Sequence, residues 1–279
     1  MLIIPFTIGL LDDLVHLKPL AKLITQFLTA SLIFFILDLR VISFYNLFSA
    51  QILHPEISYA ATLITVILIT NSLNLIDGID GLAAVFSLIA SAIFGTWFFI
   101  IENQEYALIC FAISGAILAF LFQNWEPSKI FMGDTGSLVI GTLLSIFTIQ
   151  FINDNHTLEA NHPLKFQSSV GTAVCIIIIP LIDTFRIIII RLRKGFSPFA
   201  PDKRHIHHGL VRLNLSHRQA VSILTLVHVL FISLALIMRN SHDWYLIGAI
   251  VITASLLCLI LEKALGNFYS NKGKPSRTE

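Results

Sequence analysis

The sequence predicts an all-α membrane protein: a polytopic bundle of about eight transmembrane helices, preceded by a partial N-terminal helix. Of its 279 residues, 56% are hydrophobic and only 13% are charged, whereas about a quarter of the residues in a soluble domain are charged. Apolar stretches long enough to cross about 30 Å of hydrocarbon as helices recur along the chain. The composition therefore excludes an ordinary cytosolic domain, a secreted disulfide scaffold and a disordered chain.

The predicted spans follow one another without an internal repeat or a large soluble insertion. They lie near 20–37, 57–70, 82–101, 105–122, 136–152, 168–190, 219–238 and 243–261. The opening segment, 1–11, is apolar but too short to span a bilayer, and we interpret it as the remnant of a truncated helix. The whole chain, 1–279, is thus predicted to be one integral-membrane domain, with a His-rich basic loop at 191–218 and a tail at 264–279.

The Lys and Arg residues predict how the bundle lies in the membrane. If alternate loops share a side, one side holds fourteen of the eighteen Lys and Arg residues, and the positive-inside rule makes that side cytoplasmic. The loop at 191–218 and the tail at 264–279 both belong to it. All four polar motifs of the chain fall on this side, which predicts a single site at the inner membrane face.

The first motif is the acidic pair Asp12-Asp13, which directly follows the opening apolar segment. Two adjacent carboxylates repel each other, so a pair that is buried together needs a cation or a shared proton. A divalent metal or a proton-transfer role would satisfy that need. A helix-end cap or a solvated loop pair is the alternative interpretation.

The second motif, at 71–81, places Asn74, Asp77 and Asp80 three residues apart. If the segment is helical, these side chains share one face. Gly78 and Gly81 remove side-chain bulk between them, so that backbone or a ligand can approach closely. A polar turn is the alternative, but a turn does not need three oxygen-bearing side chains directly beyond a membrane span.

The third motif, at 133–137, surrounds Asp134 with small residues just before an apolar run. We expect a helix to begin here, with backbone N–H groups that bind an anion beside a Mg²⁺ ligand. A simple helix cap formed by Thr135 or Ser137 is the alternative.

The fourth motif is the cluster His205, His207 and His208, which follows Arg204 in the longest basic loop. Positive charge repels a metal ion and attracts phosphate, so we predict that this loop binds a phosphorylated or nucleotide ligand. Contact with anionic lipid headgroups is the alternative; it explains the basic residues at 191–194 but not three His residues within four positions.

Together the motifs predict Mg²⁺-assisted transfer of a phosphoryl-linked group to or from a lipid-borne acceptor. A membrane phosphatase would share the basic face but would use water as the acceptor. A transporter would instead place ionisable residues in the middle of its spans. Asp183 and Arg186 are the only charges well inside a predicted span, and we expect them to pair with each other.

The four motifs resemble those of the polyprenyl-phosphate N-acetylhexosamine-1-phosphate transferases, glycosyltransferase family 4. The resemblance covers nearly the whole chain and is carried by four segments in the family's order: GLLDD at 9–13, NSLNLIDGIDGLA at 71–83, FMGDTGS at 131–137 and GFSPFAPDKRHIHHGL at 195–210. It implies a multi-pass transferase of the bacterial inner (plasma) membrane, with its active site facing the cytoplasm. A polyprenyl phosphate would attack the β-phosphorus of a UDP-amino sugar and release UMP. We favour direct attack, because a phosphate monoester is already largely ionised at neutral pH; a covalent aspartyl intermediate is the alternative.

The resemblance also implies a role for each matching position. The catalytic positions would be Asp12, Asp13, Asp77 and Asp80. The ligands of Mg²⁺, with Mn²⁺ as the alternative ion, would be Asn74 and Asp134. The substrate-binding positions would be Arg204, His205, His207 and His208.

The His motif also bears on the substrate, because HIHH is closer to the family members that use UDP-N-acetylglucosamine. Phospho-N-acetylmuramoyl-pentapeptide transfer in peptidoglycan synthesis is the alternative. The expected acceptor is undecaprenyl phosphate in the lipid bilayer; no nucleic-acid partner is expected, and a homodimer is left open. Family members carry further N-terminal spans, so we expect this chain to be N-terminally truncated.

Overall fold

The structure is a computed structural model that describes residues 1–48, 52–197 and 205–272. Over these residues the regular elements are all helical, which confirms the all-α prediction. Apart from a short 3-10 turn at Tyr45–Leu47, they are α1 (Ile3–Val15), α2 (Pro19–Ile36), α3 (Pro55–Ile76), α4 (Leu82–Ile100), α5 (Gln104–Asn124), α6 (Gly133–Thr157), α7 (Ser169–Ile176), α8 (Ile178–Arg193), α9 (Ile206–Arg212), α10 (His217–Ile237) and α11 (Asp243–Lys272).

The helices account for the predicted membrane spans. Six of them, α3 to α6 together with α10 and α11, are long and apolar enough to cross a membrane, and α7 with α8 adds a seventh as a broken span. Helix α2 is apolar but shorter. These eight segments correspond to the eight predicted stretches, so the chain is a multi-pass membrane protein.

The stretch at 168–190 was expected to be one span, but it is two helices bent by 87°. Pro180 has no N–H to donate to the carbonyl of Ile176, four residues earlier, and its ring clashes with a continuous helix. The His228 side chain of α10 takes over this carbonyl, with Nε2 at 2.8 Å from the Ile176 oxygen. The helix therefore breaks because of Pro180, and a side chain from another helix, His228, satisfies the carbonyl that the break leaves free.

Three further predictions about the helices are corrected. Helix α1 does not end at residue 11 but continues to Val15 and carries both acidic residues of the first motif. The basic loop contains a short helix, α9. The predicted tail is helical as far as Lys272, because α11 continues through Leu, Glu, Lys and Ala residues, which favour helix.

Helix α6 is the centre of the bundle. Two-thirds (67%) of its spanning window is buried, compared with 17% in α5 and 11% in α11, whose apolar side chains face outward as expected for lipid contact. Glycines let other helices approach α6 closely, as is common between membrane helices. A Cβ on Gly9 of α1 would lie 2.5 Å from the Thr135 Cα, and one on Gly141 would lie 2.7 Å from the Thr70 Cα of α3. These contacts bring α1 and α3 to the N-terminal end of α6.

Candidate active site

Asp13 binds the N-terminus of α6 from a different helix. Its carboxylate accepts hydrogen bonds from the Asp134 N–H at 2.8 Å, the Thr135 N–H at 3.1 Å and the Thr135 hydroxyl at 2.6 Å. Gly133 (φ 63°) allows this approach, since a Cβ there would lie 2.8 Å from the Asp13 carboxylate. A helix does begin at the third motif, as predicted, but Asp13 rather than a substrate anion occupies these N–H groups.

Asp12 and Asp134 share a cation, the ammonium group of Lys22. Lys22 Nζ lies 2.6 Å from Asp12 and also contacts Asp134. Asp12 is 8% exposed, and its second oxygen accepts the Leu17 N–H at 2.6 Å. The expectation that a buried acidic residue here needs a cation is thus met, in this structure, by a lysine from α2. Lys22 was not predicted as a site residue, although its charge stands alone at the start of an apolar helix and was a signal for such a role.

Asn74 completes this cluster from the last turn of α3. Its amide donates to Asp134 and to the Ser137 hydroxyl, the latter at 2.9 Å. The two predicted metal ligands, Asn74 and Asp134, are therefore in direct contact. Neither Thr135 nor Ser137 provides a side-chain cap for α6, so the simple capping interpretation of the third motif is wrong.

Asp77 lies at the end of α3, beside the same N-terminus of α6. Burial raises the pKa of Asp77 to about 6; a hydrogen bond from the Gly133 backbone opposes this shift, and the nearby Asp13 charge reinforces it. A carboxyl with this pKa can exchange a proton close to neutral pH.

Asp80 does not share a face with Asn74 and Asp77, because α3 ends at Ile76 and the chain turns at Gly81 (φ 78°). Its carboxylate accepts the Ser128 hydroxyl at 2.8 Å and lies 3.3 Å from His217 Nδ1. Partial burial raises the pKa of Asp80, but the bonds from Ser128 and His217 outweigh it and leave the pKa below its usual value. Asp80 thus connects the turn to the α5–α6 loop and to α10.

His205 and His207 are organised by Asp183, a residue of α8 that is 2% exposed. Asp183 lies 2.9 Å from His205 Nδ1 and 3.7 Å from His207 Nδ1, and it accepts the Ile206 N–H at 2.8 Å. The expected pairing of Asp183 with Arg186 is wrong, since Arg186 contacts Glu262 at 3.4 Å. The N-terminus of α9 offers this buried carboxylate better partners. A lone acid inside an apolar span was the signal for Asp183.

His207 connects the His cluster to the turn after Asp77. A Cβ added to Gly78 would overlap His207 Nε2, so the imidazole lies directly against this glycine. His207 is 1% exposed, and within the described part of the chain neither ring nitrogen makes a hydrogen bond. Burial lowers the pKa of His207 to about 4, so the ring is neutral at pH 7. His208 packs on it with ring centroids 4.3 Å apart, whereas Arg204 lies outside the described residues.

The cluster around Asp134 has the donor chemistry that Mg²⁺ prefers. Its side chains offer carboxylate and amide oxygens, and Lys22 already shows that a cation is stable between Asp12 and Asp134. No metal cage of three or more His, Cys, Asp or Glu residues occurs in 1–48, 52–197 or 205–272. Mg²⁺ usually takes only one or two protein carboxylates and fills its shell with phosphate and water oxygens. The residues fit an ion bound in that way.

Fold and site together define a multi-pass helical membrane protein with a carboxylate-lined site at one end of its bundle. The family model described as Glycosyl transferase family 4 matches residues 1–152, more than half of the chain. The chain belongs to this family, and the resemblance drawn from the motifs is confirmed.

Curated relatives agree with this assignment. "Undecaprenyl-phosphate alpha-N-acetylglucosaminyl 1-phosphate transferase" of Escherichia coli (strain K12) is 35% identical over 213 residues, which are 74% of this chain and 56% of that protein. The protein of the same name from Yersinia pestis is 30% identical over 266 residues, 92% of this chain and 70% of its own length. "Probable undecaprenyl-phosphate N-acetylglucosaminyl 1-phosphate transferase" of Bacillus subtilis (strain 168) is 31% identical over 260 residues, 91% and 69% respectively. The chain thus spans little more than half the length of the E. coli relative.

Proposed function

We propose that this protein transfers N-acetylglucosamine 1-phosphate from UDP-N-acetylglucosamine to undecaprenyl phosphate, releasing UMP, at the cytoplasmic face of the bacterial inner membrane. The product would start a lipid-linked envelope glycan. One observation carries the proposal: α1, α3 and α6 bring Asp12, Asn74 and Asp134 together. Asp12 and Asp134 share the Lys22 ammonium group, and the Asn74 amide donates to Asp134. The printed names of the relatives support the acceptor and the sugar.

The metal would be held by Asn74 and Asp134, with Asp12 alongside. When bound, Mg²⁺ would neutralise the diphosphate of the donor and stabilise the charge that develops on the departing UMP. Asp13 has a supporting task, because its bonds to the start of α6 fix the position of Asp134. Lys22, which contacts Asp12 and Asp134, would supply a positive charge to bind a phosphate oxygen of the substrates.

The reaction is a direct displacement at phosphorus. An oxygen of the lipid phosphate forms a bond to the β-phosphorus, and the bond from that phosphorus to the bridging oxygen breaks with its electron pair leaving on UMP. A phosphate monoester has a second pKa of about 6, so a small fraction still carries a proton at neutral pH. Asp77, whose pKa is raised to about 6, is suited to accept that proton.

The His cluster would recognise the donor. His207 is neutral, and its ring nitrogens have no hydrogen-bond partner within the described residues. It lies against the turn that carries Asp77, so a hydroxyl, amide or phosphate oxygen of a nucleotide sugar placed there would satisfy it. Arg204, although outside the described residues, would add positive charge to the same segment.

The test is release of UMP by the purified chain with undecaprenyl phosphate and either UDP-N-acetylglucosamine or UDP-N-acetylmuramoyl-pentapeptide. We expect turnover with the first donor only, its loss on chelation with EDTA and its return with Mg²⁺. Asp134→Ala and Asp77→Ala should abolish it. Glu56→Ala, which removes an exposed acid from the opposite end of α3, serves as the matched control.

Three results would contradict the proposal. Retained turnover in the Asp134 and Asp77 variants would refute the site. Unchanged turnover after chelation would refute the role of the metal. Turnover with only the UDP-N-acetylmuramoyl-pentapeptide donor would show that the protein catalyses the peptidoglycan reaction instead.

A further inference from the structure

A polar cavity, separate from the carboxylate cluster, lies between α8, α9 and α11. It has a volume of about 410 Å³, and none of the carboxylates of the candidate active site lines it. Its lining includes basic side chains from α8 and α9, His205, and apolar side chains from α8 and α11. The basic loop therefore has two faces: His207 lies against the active-site turn, whereas this cavity is on the side of α11.

The cavity is strongly basic. Four permanently positive side chains, Arg186, Arg193, Lys194 and Arg212, converge on it from α8, its C-terminal end and α9, and the described lining residues include one acid. That acid, Glu262, contacts Arg186 at 3.4 Å, and its side chain is 51% exposed. Arginine and lysine converging in this way favour phosphate, the arginines through paired N–H donors.

The cavity also has an apolar lining. Ile190 comes from α8 and Leu261 and Leu265 from α11, and a Cβ on Gly209 would lie only 3.4 Å from Leu265 Cδ1. A small soluble anion gains nothing from such a wall, because apolar surface stabilises only ligands that bury apolar surface against it. The combination suits a molecule with a phosphate at one end and hydrocarbon at the other.

The position of the cavity agrees with that chemistry. The predicted spans in α8 and α11 end at residues 190 and 261, so the cavity begins where both helices leave the hydrocarbon. It lies on the side predicted to be cytoplasmic, and α11 is the least buried of the six spanning helices. Basic pockets between helices at this depth are typical sites for anionic lipid headgroups.

We propose that this cavity binds the phosphate headgroup of an anionic phospholipid, with the start of an acyl chain against Ile190, Leu261 and Leu265. The site is distinct from the carboxylate cluster, and the proposal does not depend on the proposed transfer reaction. The bound lipid would touch His205, which Asp183 holds from the other side.

The test is native mass spectrometry of the full chain, delipidated in detergent and titrated with dioleoyl phosphatidylglycerol or dioleoyl phosphatidylcholine. We expect the wild type to retain the anionic lipid preferentially. Arg193→Gln with Lys194→Gln should weaken this binding roughly 30-fold, at about fivefold for each basic side chain near an anionic headgroup. The control, Lys18→Gln with Lys129→Gln, removes two exposed charges from the same predicted side outside the cavity and should bind as the wild type does.

A competition experiment distinguishes a lipid site from a site for free phosphate. Glycerol 3-phosphate at the same concentration should not displace phosphatidylglycerol; displacement would show a site for soluble anions and overturn the proposal. Equal retention of both lipids, or equal losses in the cavity and control variants, would overturn it as well. If the double variant does not fold, Arg193→Gln alone, at an exposed position, should still weaken binding about fivefold, and unchanged binding would count against the site.

Discussion

The polar side chains at the two ends of the helix bundle make different kinds of contact. At the end opposite the candidate active site, amide and hydroxyl groups pair with each other and with the backbone. Tyr45 donates to Asn153 at 2.9 Å, and Asn153 donates to the Arg40 carbonyl at 2.8 Å. Asn155 exchanges two hydrogen bonds of 2.8 Å with the backbone of Phe166. These contacts hold loops onto the C-terminal end of α6.

At the active-site end, carboxylates converge instead. Asp12 and Asp134 come from α1 and α6 and meet around the single ammonium group of Lys22, with Asp13 and Asp77 close by. A network of amides satisfies itself and stabilises the fold, whereas a group of carboxylates with one cation carries excess negative charge. The contrast supports our proposal that the active-site end binds a further cation and its phosphate ligand.

The largest difference in UMP release should be seen when the same substitution, Asp to Asn, is made near each of the two ends of α6. Asp134→Asn should lower UMP release roughly 10²- to 10³-fold, as for the loss of one electrostatic stabiliser in an active site. Asp154→Asn, where Asn103 and Gln150 donate to the carboxylate, should keep turnover within about twofold. Similar losses in both variants would show that the two ends do not differ as we describe.

Asp183→Asn should have the next largest effect. The buried carboxylate orients His205 and His207, and removing such an orienting partner typically costs about 10- to 100-fold. We expect the loss as a higher KM for the UDP-sugar, with the KM for undecaprenyl phosphate unchanged. Asp243→Asn is the control, because Asp243 is also fully buried but bonds to Gly171 away from the site. If Asp183→Asn lowers thermal stability but leaves the KM for the UDP-sugar unchanged, Asp183 has only a structural role.

Gly78→Ala should raise the same KM roughly tenfold, since small displacements of a positioning group cost up to about 100-fold. The new methyl group would force the His207 ring away from the turn. Gly248→Ala adds the same methyl group where no atom lies within 4 Å. Steady-state kinetics on both variants separate the two cases, and equal behaviour would show that the contact between Gly78 and His207 does not matter for the donor.

The smallest effect on turnover should come from Asn155→Ala at the opposite end. It removes two hydrogen bonds from a residue that is 2% exposed, so the free energy of unfolding should fall by roughly 1 to 3 kcal/mol. Turnover per folded molecule should not change. Thermal unfolding in detergent measures the first quantity, and Asn161→Ala, at an exposed position, is the control. A matching loss of turnover would mean that this end also takes part in the reaction.

The local patterns of the sequence predicted the helices well where one signal dominated. The small residues before an apolar run predicted the start of α6 at Gly133, and long apolar runs predicted the spans. The prediction failed where two signals competed. The spacing of Asn74, Asp77 and Asp80 is helical, but α3 ends at Ile76, and the turn that follows uses the positive φ of Gly81, which glycine adopts readily. In the same way, Pro180 divided an apolar run that was long enough for one span.

The sequence by itself determined the membrane class, the positions of the spans and the family, because composition, periodicity and motifs are local properties. Only the tertiary structure decided which group each carboxylate meets. Lys22 and Asp134 are 112 residues apart, and Asn74 and Asp134 are 60 apart. Asp183 has Arg186 three residues away in the chain but binds His205, 22 residues on. Spacing within one helix encodes only neighbours three or four residues away, so contacts between helices depend on how the bundle packs.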